Sequence, residues 1–82
     1  MLANPSLIVV TTEEHPVLAV HTSSVHHSYF PEVRGEGSSL TDATERLSDL
    51  LFRTLDNASS EWRRETILGA IEDLRAFAET GR

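Results

Sequence analysis

Apolar and polar positions change period near the middle of the chain. Leu7 to Val10 is a short continuous apolar run, rich in β-branched residues and bounded by Pro5 before it and by Thr11, Thr12, Glu13 and Glu14 after it. Such a run fits a strand buried on both faces or nearly so. A second run, Val17 to Val20, begins just after Pro16, close enough for a hairpin, so the two are expected to pair antiparallel. Val25 to Phe30 carries Tyr29 and Phe30 and predicts a third strand ending at Pro31, with Thr22, Ser23 and Ser24 as the turn before it.

From Leu40 the pattern is helical. At about 100° per residue, Leu40, Ala43, Leu47, Leu50, Leu51, Leu55 and Ala58 fall in one stripe, with Glu45, Asp49 and Asp56 opposite. This helix is expected to cover the sheet. Asp42 precedes Arg46 by four residues, as Asp49 precedes Arg53, the favourable order for surface ion pairs. Asn57 to Ser60 break the helix, and Ser59 or Ser60 can cap a second one, with Glu61 in its first turn, running to about Glu79. Its stripe is Ile67, Ala70, Ile71, Leu74 and Ala78, flanked by Leu68 and Phe77. Only the ends, Met1 to Asn4 and Thr80 to Arg82, read as frayed.

The handover lies between Tyr29 and Ala43. An aromatic run stops at Pro31, passes a turn carrying Gly35 and Gly37, and meets Ser39, an N-cap with Asp42 three positions on. The fold expected is α+β, a single domain over residues 1–82: a small antiparallel three-stranded sheet followed by two helices, β-β-β-α-α.

Two large aromatics fall outside the core-facing stripes. Trp62 projects nearly opposite Ile71, and Phe52 lies well off the first helix's stripe. Either they cover each other across the inter-helix turn, or they belong to a subunit or partner interface together with Leu68 and Phe77.

A chain of 82 residues buries only about 60 to 65% of its unfolded surface, and with no cysteine it has no disulfide to compensate. Oligomerisation, as a homodimer or larger, is the expected alternative. The absence of cysteine also excludes thiolate zinc sites and fits a reducing compartment. Thirteen acids face seven arginines and no lysine, a net charge of −6, so polyanions are repelled overall and neither specific nucleic-acid binding nor an anionic membrane surface is expected. No apolar run approaches the roughly 18 residues a bilayer span needs, and no basic segment leads into a long apolar one. A soluble, cytoplasmic protein is expected.

Candidate chemistry is sparse. His15, His21, His26 and His27 all lie in the N-terminal half, but His26 and His27 are adjacent and would point to opposite faces of a strand, so they cannot chelate one ion. No bound metal or cofactor is expected. Ser23, Ser24 and Ser28 lie near these histidines without a strained glycine elbow or a fixed orienting group. Gly35-Glu36-Gly37 lacks the third glycine and the βαβ context of a dinucleotide loop, and Glu36 would repel phosphate.

Phe30-Pro31-Glu32-Val33 followed by Glu36-Gly37-Ser38-Ser39-Leu40-Thr41-Asp42-Ala43 resembles the core signature of HicB-like antitoxins, with Leu47 and Leu50 continuing the helix stripe. The resemblance covers about residues 7–55. It implies a three-stranded antiparallel sheet packed by a helix, a degraded ribonuclease-H-like fold without ribonuclease activity. It further implies binding and masking of a small ribonuclease toxin, usually as an oligomer. The sequence therefore leads to a non-enzymatic protein-binding or oligomeric module. The alternatives are a small enzyme or metal protein using the histidines, and a stand-alone structural domain.

Overall fold

The computed structural model describes residues 3–15, 17 and 20–80. Three antiparallel strands, β1 (Ile8–His15), β2 (Val20–His27) and β3 (Phe30–Gly37), form one sheet in the order β1-β2-β3. Two helices follow, α1 (Leu40–Asp56) and α2 (Glu61–Thr80). This is the expected α+β order, with the strands shifted along the chain.

The predicted second strand, Val17 to Val20, falls largely outside the described residues. β2 begins where that run ends, and Thr22, Ser23 and Ser24 lie within the central strand, not in a turn. Pairing with β1 at all three, and with β3 as well at Ser23 and Ser24, outweighs the local turn preference of these residues, whose small side chains lie buried or half-buried in the sheet. The turn falls instead at Ser28 and Tyr29. Ser28 is anchored there by its N–H and Oγ, which both donate to the Leu7 carbonyl at 2.8 and 2.6 Å.

β3 starts at Phe30 and runs through Pro31. An edge strand tolerates proline because one row of its backbone groups faces away from the sheet. Gly35 and Gly37 are therefore strand residues, and neither has a positive φ. Their role is close approach. A Cβ on Gly35 would lie 2.3 Å from the Ala43 carbonyl oxygen and 2.5 Å from the Leu47 nitrogen, and one on Gly37 would lie 2.7 Å from Asp42 Cβ. α1 thus rests directly on the β3 backbone.

Ser39 caps α1 as expected, its hydroxyl accepting the Asp42 N–H at 3.1 Å, and Ser60 caps α2 by accepting the Arg63 N–H at 3.2 Å. Ala43, Leu47, Leu51 and Leu55 face the core with Ile67, Ala70, Ile71 and Leu74 of α2 and with Ile8, Val25 and Phe30 of the sheet. Leu50 is only half-buried and Leu40 is exposed, so the α1 stripe is narrower than the wheel suggested. Neither Asp42–Arg46 nor Asp49–Arg53 closes into an ion pair; Asp42 accepts from Ser38 Oγ instead.

α1 lies over β3 and β2, while α2 packs on α1 and on a 3-10 turn at Pro5–Leu7 and reaches the sheet through Asp73 at His27 and Arg63 at Phe30. Val10, in register with the buried Val25, therefore stays exposed. On the opposite face Thr11, Ser24 and Glu36 share one register position and Val9, His26 and Arg34 another, a mainly polar surface with no helix above it. No helix among the described residues is long and apolar enough to cross a membrane.

Candidate functional site

A concavity of about 710 Å³ lies between the 3-10 turn, the β2–β3 turn and the outer face of α2. Its floor is a partly buried hydrogen bond between His27 and Asp73. His27, 1% exposed, places Nε2 2.7 Å from Asp73 Oδ2, and its Nδ1 lies 3.1 Å from the Tyr29 backbone nitrogen. A backbone N–H can only donate, so Nδ1 accepts and the ring proton directed at Asp73 sits on Nε2. Asp73 Oδ1 accepts the Asn4 N–H at 2.7 Å. The pair therefore ties the sheet, α2 and the N-terminal segment together, and Asn4, expected to fray, is held.

Both imidazole nitrogens of His27 are occupied, and the nearby Ser28 hydroxyl donates to the Leu7 carbonyl. His26 is half-buried in register with Val9 and Arg34, and exposed His21 approaches Glu14 at 3.9 Å. The His15 side chain lies outside the described residues. Among the described residues no three His, Asp or Glu side chains converge as metal ligands would.

The walls of the groove are apolar and open to water. Trp62 is 72% exposed, Tyr29 66% and Leu68 45%. Tyr29 projects from the β2–β3 turn, its ring 5.2 Å from His27, so the buried histidine sets its position. Of the four residues expected at an interface, Trp62 and Leu68 meet here. Phe52, 49% exposed, is not among the lining residues, and Phe77 is half-buried against the core. Phe52 and Trp62 do not cover each other: both keep about half or more of their surface in water.

Glu65 and Glu72 flank the groove on the same side of α2, both exposed and without a cationic partner among the described residues. Arg63 and Arg64, which lie between Trp62 and Glu65 in sequence, are engaged elsewhere. Arg63 stacks over Phe30 at 5.5 Å, and Arg64 Nη1 donates to the Leu55 carbonyl. Between the two glutamates sits Gly69, mid-helix, where a Cβ would meet nothing within 4 Å. A helical glycine costs about 0.5 to 1 kcal/mol relative to alanine, and unlike Gly35 this one is not required by any contact within the fold.

A smaller concavity of about 340 Å³ lies along β3 and α1, lined by Arg34, Glu36, Arg46, Asp49, Leu50 and Arg53. It is charged with both signs and has no buried polar floor.

Tyr29, Asp73 and Gly69 were not singled out as a site by sequence, and His27 was considered only as one of four clustered histidines. His27 and Asp73 are 46 positions apart, and no local pattern joins them. A signal was present at Gly69, an isolated glycine inside a helical pattern. No family model, curated protein or solved structure matches this chain. The fold and groove therefore define it only as a small α+β domain with a three-stranded antiparallel meander.

Proposed function

We propose that this chain is a non-enzymatic protein-binding module and that the α2 groove is its contact surface. The observation that supports it is the meeting of Tyr29, Trp62 and Leu68, from two separate elements, around one concavity whose floor is fixed by His27 and Asp73. Large aromatics exposed around a rigid pocket are the residue types that dominate contact energy between proteins. The resemblance of residues 30–43 to the HicB-like signature supports a narrower form of the reading, an antitoxin that masks a small ribonuclease toxin in the cytoplasm, acting as a homo-oligomer. In this chain Gly37, Ser39 and Ala43 of that signature serve the β3–α1 junction, so they carry the scaffold and leave contact to other residues.

The test compares wild type with a Trp62→Ser, Leu68→Ser double variant. Tagged protein from the native host is isolated, bound proteins are identified, and self-association is measured by sedimentation. Loss of a stoichiometric partner, or of a dimer, at unchanged melting midpoint supports the reading. A partner retained equally by both proteins would place the contact elsewhere and overturn this surface.

A further inference from the structure

Three features of α2 have no role inside the fold. Gly69 keeps the helix interior bare where a side chain would meet open space. Glu65 and Glu72, four residues before it and three after, present carboxylates beside that bare stretch without a cation among the described residues. Trp62 stands one turn before Glu65 and leaves most of its indole in water. On a helix, positions 62, 65, 69 and 72 lie along one face. That face therefore offers an aromatic wall, a low point at which another backbone can approach, and negative charge on both sides of the low point.

We propose, building on the protein-binding reading above, that a cationic amphipathic helix of another protein crosses α2 at Gly69. Its apolar side chains enter the space between Tyr29, Trp62 and Leu68, and its lysines or arginines meet Glu65 and Glu72. Helices approach most closely where a small residue lies at the crossing, and a ridge on one fills the groove of the other. Charge selects this occupant over a second copy. Each copy carries a net charge of −6, and an antiparallel α2 pair that seats Trp62 over the partner's Gly69 brings the two Glu65 carboxylates together near the two-fold axis.

Trp62 is the chain's only tryptophan, so its emission reports this groove directly. The probe is a short helical peptide of leucine and lysine with leucines at three- and four-residue spacing, and the control is its leucine–glutamate counterpart. The lysine peptide is expected to shift Trp62 emission to the blue with micromolar affinity, and the glutamate peptide to leave it unchanged. Affinity should fall about tenfold or more in Gly69→Leu, which blocks the crossing at a position with room for the added side chain. In a Glu65→Gln, Glu72→Gln double variant it should fall about five- to tenfold, with a shallower salt dependence. A melting curve for Gly69→Leu at or above that of wild type confirms an intact fold.

Equal binding of both peptides, or undiminished binding by Gly69→Leu, overturns the proposal. So does wild-type self-association that Gly69→Leu abolishes, which would assign the face to a second copy. If a native partner is captured through Trp62 while the lysine peptide is ignored, the binding module stands and only the cationic partner falls.

Discussion

Replacing Gly35 by alanine should unfold or nearly unfold the domain, while the same change at Gly69 should stabilise it. At Gly35 the new Cβ would lie 2.3 Å from the Ala43 oxygen, 2.5 Å from the Leu47 nitrogen and 2.8 Å from Leu47 Cβ. Ordinary contact begins near about 3.5 Å, so α1 must withdraw by about 1 Å, because two of the three obstacles are backbone and cannot rotate aside. A gap of that size forfeits about a quarter to a half of each pairwise dispersion contact along the interface. The residues that lose them, Ala43 and Leu47, are fully buried. Overpacking typically costs about 1 to 3 kcal/mol and more where the backbone resists, and a domain of this size has about 5 kcal/mol in total. Gly69→Ala adds a methyl in open space and should gain about 0.5 to 1 kcal/mol through helix propensity and a less flexible unfolded chain. Urea denaturation followed by far-ultraviolet circular dichroism measures both; Trp62 fluorescence is a poor reporter of unfolding because the indole is already in water. A Gly35→Ala protein within about 0.5 kcal/mol of wild type would refute the close crossing of α1 over β3.

In urea denaturation Leu47→Ala should cost about 2 to 5 kcal/mol, whereas half-buried Leu50→Ala should cost clearly less; equal losses would place the α1 core face incorrectly. Asp73→Ala leaves the His27 Nε2–H buried without an acceptor and should cost about 1 to 3 kcal/mol, and hydrogen exchange should show the Asn4 amide losing protection; unchanged exchange would mean the Asn4 contact is not formed in solution. Ser39→Ala should cost about 1 kcal/mol through loss of the α1 cap, with Ser39→Gly recovering most of it, and two variants of equal stability would argue against that role. Anisotropy titration with duplex DNA or RNA at low salt should show no submicromolar binding, given the net charge of −6; tight, strongly salt-dependent binding would contradict the electrostatic argument.

The sequence by itself determined what depends on neighbours within a few positions. Hydrophobic spacing placed both helices, and Ser39 was legible as one cap and Ser59 or Ser60 as the other, because a cap bonds only two or three residues ahead. The off-stripe position of Trp62 already marked it as poorly placed for the core, and it is exposed, as is Leu68 on one flank of the α2 stripe. Phe77, on the flank of the same stripe, was harder to place, because how far the core extends sideways depends on where α2 crosses α1; it packs inward.

Tertiary structure decided whatever depends on distant segments meeting. Thr22 to Ser24 carry local preferences for a turn, yet they lie in the central strand, with Ser23 and Ser24 paired to strands on both sides. Gly35 and Gly37 look like turn glycines in isolation, and only the descent of α1 onto β3 shows that they are there for want of a Cβ. His27 and Asp73 gain their meaning from a 2.7 Å contact across 46 residues, and the groove above them exists because that contact fixes the β2–β3 turn against α2. Periodicity reports which side of an element is apolar, but the partner that covers that side, or leaves it open, is chosen only when the elements pack.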